Sequence, residues 1–213
     1  MATSHPSALD FIPGKPTIPK LWQAAQACTA CDLYRRATQA VLGEGPRSAS
    51  AFFIGEQPGD QEDLAGKPFV GPAGQVLDEA LEAAGIPRDE VYVTNAVKHF
   101  KWEPRGKKRI HQKPTLSEVK ACRPWLEAEL ALIKPRVIVC LGATAAQSLM
   151  GPAFRVTREH GRFFQTSWAP WLTATLHPSA ILRMPDRERR EAARAQLLAD
   201  LRGVAELQRK VLL

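Results

Sequence analysis

The sequence predicts an α/β protein, a three-layer α/β/α fold around a central, mainly parallel sheet of four strands. Three observations lead there. Four short apolar runs, 51–54, 91–94, 137–141 and 172–176, have the length and side chains of strands buried on both faces. Each stops at a residue of another kind: Gly55, Asn95, Gly142 and His177. The stretches between them space their apolar residues as helices do, so strand and helix alternate, the order that builds a parallel sheet with helices on both faces.

The elements follow in order. A short helix from about Pro19 leads into Cys28-Thr29-Ala30-Cys31, and residues 1–18 read as an N-terminal arm. After the first strand, Gly55 to Gly74 reads as an irregular loop fixed by glycine and proline. A helix over 73–84 carries the stripe Val76, Leu77, Ala80, Leu81 and Ala84 and ends at Gly85. Beyond the second strand, Thr115 and Glu118 have capping-box spacing, and Val119, Cys122, Leu126, Leu130 and Ile133 continue at helical intervals. Pro124 inside that pattern predicts a kink or two abutting helices. Further helices are expected over 143–150 and, amphipathic and closing the chain, over 185–207.

With 213 residues, 45% of them hydrophobic and 24% charged, the chain reads as one domain with its own core. No apolar run approaches the ~20 residues that span a bilayer. The N-terminus lacks the charged-then-apolar order of a secretory signal, so a cytoplasmic monomer without membrane contact is expected.

In an open parallel sheet the ligand lies outside the carboxyl ends of the strands. Glu56, Gln57 and Asp60 follow the first strand, Asn95 ends the second, Gly142 and Ala143 follow the third, and His177 and Ser179 follow the fourth. Seven Lys or Arg stand between Lys98 and Lys113 against Glu103 alone, a local +6 beside a formal +7 for the whole chain. The segment 101–113 thus reads as a basic loop inserted beside Asn95, suited to a phosphate backbone, or else as a solvated turn. A nucleotide phosphate loop is excluded, because six residues separate Gly59 from Gly66 and Pro68 stands where a Ser or Thr is required. Phe69 is placed either to stack on a base or to tuck into the core. Cys28, Cys31, Cys122 and Cys140 supply four thiols, the number that tetrahedral zinc or a [4Fe-4S] cluster takes. The alternative is a redox pair with two buried thiols.

Gly55-Glu56-Gln57-Pro58-Gly59, the run Gly66 to Gly74, Thr94-Asn95 and His177 to Arg183 resemble the motifs of the iron-sulfur uracil-DNA glycosylases. The four cysteines are similar to that family's cluster ligands. Gln57 and the inserted Lys107-Lys108-Arg109-Ile110-His111 resemble, more narrowly, its X-type branch, whose members capture their DNA product covalently through the loop histidine. Lys108 departs from the arginine common there, which keeps the charge and loses a planar fork. The resemblance implies a glycosylase acting on uracil-containing DNA, with single strands preferred. It would carry a [4Fe-4S] cluster on Cys28, Cys31, Cys122 and Cys140, zinc being the alternative. His111, Glu56 and His177 would be catalytic. Asn95 would read uracil, Phe69 would stack, Ser179 and Arg183 would meet flanking phosphates, and Gln57, Asp60 and Arg109 would support the site.

Overall fold

A computed structural model describes residues 7–211. Four strands, β1 (Ala51–Gly55), β2 (Val91–Asn95), β5 (Val137–Leu141) and β6 (Trp171–Thr175), form a parallel sheet in the order β2-β1-β5-β6. Two more, β3 (Trp102–Arg105) and β4 (Lys108–His111), form a separate antiparallel hairpin. The helices are α1 (Ile18–Ala25), α2 (Asp60–Ala65), α3 (Pro72–Ala84), α4 (Leu116–Ile133), α5 (Ala143–Met150), α6 (Val156–Glu159), α7 (Pro178–Leu182) and α8 (Arg187–Val211).

Side-chain alternation explains the layers. Phe53, Val93, Val139 and Leu141 point to one face, where Leu77 and Leu81 of α3 and Leu197 and Leu201 of α8 cover them. Phe52, Ile54, Ile138, Cys140 and Leu172 point to the other, against Leu126 and Leu130 of α4 and Ala145 of α5. Both faces are buried, which is why the strand sequences are apolar throughout. A third cluster packs Leu21, Cys28, Leu33, Cys122 and Trp125 between the N-terminal segment and α4. Residues 1–6 of the expected arm lie outside the described residues; from Ser7 onward the arm packs, with Ala8 buried in this third cluster.

The four sheet strands match expectation to within a residue at either end. The closing helix also matches, as α8 over Arg187–Val211 against the expected 185–207. At Pro124 one continuous helix, Leu116–Ile133, stands in place of two abutting ones. Two features differ. The short helix α2 occupies part of the segment read as an irregular loop. The basic loop is a hairpin, turned by Gly106 at φ +59°, the positive value required at the first central position of a two-residue turn. Among the described residues no helix is long and apolar enough to cross a membrane.

Candidate active site

The chain leaves β1 for β2 on one side and crosses back to β5 on the other, so the topological switch point lies between the carboxyl ends of β1 and β5. A cavity of about 750 Å³ opens there. Its lining includes Glu56, Gln57, Phe69, Asn95, Thr144 and His177, together with Arg109, Ile110 and His111 of the hairpin. The sheet thus brings together most of the residues singled out from sequence.

One wall is a slot for a flat ring. Asn95 ends β2 and is 2% exposed; Lys98 Nζ donates to its backbone carbonyl at 2.7 Å, and its side-chain amide borders the cavity. Phe69 is 7% exposed and holds φ +57°, a left-handed conformation costing about 1 kcal/mol for a residue with a β-carbon. Gly55 lets these two approach, since a β-carbon there would sit 2.3 Å from Asn95 Oδ1 and 2.8 Å from Phe69 Cζ. The Phe69 ring is therefore both tucked in and presented to the cavity, which joins the two readings left open for it. Across from it stands His177, its ring 6.4 Å from that of Phe69 and inclined by 24°.

The protonation of His177 follows from its contacts. It caps α7, and its Nδ1 accepts from the Ser179 N–H at 3.1 Å, with the Ser179 hydroxyl 2.8 Å away. Burial pushes its pKa down to about 4, helped by the positive charge of Arg183. The neutral ring with an acceptor at Nδ1 carries its proton on Nε2, so His177 is a neutral hydrogen-bond donor. Ser179, expected at a phosphate, has its N–H and hydroxyl directed at this ring; Arg183 is exposed at the rim of the cavity.

Opposite the slot, Glu56 reaches two partners. Thr144, at the start of α5, donates its hydroxyl to Glu56 Oε2 in a short hydrogen bond, and His111 Nε2 lies 3.4 Å from Glu56 Oε1. Burial lowers the His111 pKa, with Glu56 opposing and Arg183 reinforcing the shift. The imidazole side chain is 41% exposed at the mouth of the cavity. Thr144 was not singled out from sequence. Its contact requires β5 to lie beside β1, and strand order is not written locally.

The hairpin is fastened rather than free. Arg109 pairs with Asp60 at 2.5 Å and with the fully buried Asp63 at 2.6 Å, and its guanidinium lies 5.5 Å from the ring centres of both Phe100 and Trp102. Gln57 accepts from the Lys101 N–H at 3.1 Å and donates to the Lys101 and Gln112 carbonyls. Gln57, Asp60 and Arg109, expected to support the site, direct these groups to the base of the hairpin, while Gln57 and Arg109 also line the cavity.

The charge patch is smaller than the sequence count. Lys98 is 1% exposed and pairs with Glu129, and Lys101 pairs with Glu118. With Arg109 engaged by Asp60 and Asp63, four of the seven cations are exposed: Arg105, Lys107, Lys108 and Lys113.

The four cysteines fall in two places. Cys28, Cys31 and Cys122 share the third cluster, and burial pushes the Cys122 thiol up to a pKa of about 12, with Cys31 and Cys28 adding to the shift. Two N–H groups point at sulfur, Trp125 Nε1 at Cys28 Sγ (3.3 Å) and Lys98 N at Cys122 Sγ (3.1 Å). Such donors favour the thiolate at the two sulfurs they reach, Cys28 and Cys122. Cys140 does not join them. It lies inside β5 among Ile54, Ala145 and Leu172, and burial alone accounts for its raised pKa. The signal was present in the sequence: a thiol inside a strand buried on both faces is a core residue. Among the described residues no group of three or more His, Cys, Asp or Glu is arranged to hold a metal ion.

Comparison with known proteins bears on the same region. Residues 42–202 match the family model described as the uracil DNA glycosylase superfamily. The type-4 uracil-DNA glycosylase of Thermotoga maritima is 38% identical over 169 residues, covering 79% of this chain and 84% of that protein. Its namesake from Pyrobaculum aerophilum is 38% identical over 173 residues, 78% of this chain and 85% of the relative. That of Archaeoglobus fulgidus is 36% identical over 188 residues, 85% and 88% respectively.

Proposed function

The chain belongs to the uracil-DNA glycosylase superfamily, and from that premise we propose that it excises uracil from DNA and remains joined to C1′ of the sugar through His111. The observation that carries the second part is the His111 imidazole, held on a fastened hairpin at the cavity mouth, 3.4 Å from the Glu56 carboxylate, where burial lowers its pKa.

Uracil turned out of the stack enters the slot beside Phe69. The Asn95 amide offers one acceptor and two donors, complementary to N3–H and O4 of uracil, and cytosine presents the opposite pattern. As the C1′–N1 bond breaks, its electrons move to the base and charge grows on O2. The Nε2–H of neutral His177 meets that charge. The sugar carbon becomes electron-poor, and one imidazole nitrogen of His111 bonds to it. Glu56, held at its other oxygen by Thr144, takes the proton from the second nitrogen. One C–N bond is broken and one formed, the uracil anion takes up a proton from solvent while Glu56 returns the His111 proton to solvent, and protein and DNA become a single molecule. Arg183 and the four exposed hairpin cations face the flanking phosphates.

A [4Fe-4S] cluster on Cys28, Cys31 and Cys122 would brace the N-terminal segment against α4. Its fourth ligand is a residue other than Cys140. His99 is a candidate, being buried, held neutral with a pKa of about 4, and next in the chain to Lys98, whose N–H reaches Cys122 Sγ. The substrate is taken to be single-stranded DNA and the acting species a monomer.

Incubation with a single-stranded uracil oligonucleotide, followed by a denaturing gel, tests the reading. A retarded band that survives boiling is expected. Free abasic product with turnover would indicate a hydrolytic glycosylase with the hairpin as a clamp, and unchanged DNA a binding module without catalysis. Replacing His111→Ser should remove the stable band while some uracil is still released.

A further inference from the structure

Behind Asn95 lies a buried ionic network that the chemistry above leaves unused. Lys98 and Glu129 are 1% and 0% exposed at their side chains and pair at 2.6 Å. Glu129 Oε1 accepts from the Gly43 N–H (2.6 Å) and the Tyr92 hydroxyl (3.0 Å), and its Oε2 also accepts from the Thr94 hydroxyl (2.9 Å). Lys98 Nζ has three protons and three acceptors: Glu129 Oε2, Thr94 Oγ1 at 2.7 Å and the Asn95 carbonyl at 2.7 Å. Every polar group in the network is satisfied.

Stability does not require such a pair, since well-packed apolar residues in place of a buried ion pair are often neutral or stabilising. What an apolar core would lack is the third bond of Nζ. That bond fixes the Asn95 carbonyl at the end of β2, and with it the peptide that carries the amide bordering the slot. The same residue donates its backbone N–H to Cys122 Sγ. Lys98 therefore ties the thiol cluster to the residue at the head of the slot within one short segment.

We propose that Lys98, held by Glu129, is a positioning residue for Asn95: it sets the amide at the angle that reads uracil, and it carries constraint from the cysteine-bearing core to the base slot. The inference rests on Asn95 reading the base. It leaves Lys98 without any contact to DNA, in contrast to the cations of the hairpin.

A double-mutant cycle in the holoprotein tests it. The pair Lys98→Met with Glu129→Gln removes both charges while the new amide can still serve Gly43, Tyr92 and Thr94. Single-turnover rates on a uracil oligonucleotide are measured for this pair, for Asn95→Ala, and for all three together. The pair alone should slow uracil excision by about tenfold or more, yet add almost nothing in the Asn95→Ala background. Thr94→Val, which removes a network hydroxyl and keeps the bond from Nζ to Asn95, should melt lower and keep its rate within about twofold. An equal loss with and without Asn95, no loss at all, or a Thr94→Val rate that falls with its melting temperature would each overturn the proposal. The Thr94→Val arm decides even if the paired variant does not fold. Failure of the uracil reading itself shows separately, as a wild-type protein without activity on the same oligonucleotide.

Discussion

Burial sets the charge of His177, and its charge sets its use. Its pKa is lowered from 6.5 to about 4, so as pH falls through that window the unfolded chain takes up a proton that the folded protein refuses. Stability is accordingly lost on going from pH 6.5 towards 4, and none of that loss is present above 6.5. Melting temperatures at pH 5 and pH 7.5 should differ in this direction, and His177→Asn should reduce the difference. At pH 6 to 8 the ring stays neutral, so His177 contributes no inflection to the excision rate, whereas His177→Ala should slow excision by about 10²-fold to 10³-fold, the usual effect of losing one oxyanion donor. Residues of this kind were legible because they end apolar runs: Glu56, Asn95 and His177 stand where strands stop. Thr144 and Lys98 were not. The partner of Thr144 is 88 positions away and that of Lys98 31 away, and a cation counted along the chain carries no sign of the carboxylate that will bury it.

At the scale of elements, the hairpin decides where His111 sits. Arg109 ties β4 to α2 through Asp60 and the fully buried Asp63, whose other side-chain partners among the described residues are the Thr38 hydroxyl and N–H. Arg109→Ala should destabilise the protein by about 3 kcal/mol, the usual effect of breaking a buried pair on one side. It should also slow formation of the heat-stable band more than release of uracil, because the base slot does not depend on β4; a denaturation curve and the two rates measured side by side check this. The hairpin was read as a loop for a physical reason. Glu103 and Pro104 give β3 no apolar alternation, and its pairing with β4 leaves both strands without a buried face of their own. The sheet strands, buried on both faces, announce themselves; a surface hairpin held by side chains from elsewhere does not.

Over the whole molecule, two of the three hydrophobic clusters build the sheet sandwich and the third holds three thiols against α4. Cys140 belongs to the sandwich. Cys140→Ala should therefore keep the brown colour of a cluster-bearing protein, while Cys28→Ser or Cys122→Ser should lose it; the visible absorption of the purified variants separates the two cases. Thiol cluster, network and hairpin bear on one proposal, that a glycosylase slot is joined to a nucleophile on a fastened arm. The most direct measurement is the intact mass of the protein after reaction with a uracil oligonucleotide, followed by fragmentation of the product. The account predicts a mass equal to protein plus oligonucleotide less one molecule of uracil, with the attachment on His111. Unmodified protein beside an abasic oligonucleotide, or an attachment at any other residue, would contradict it.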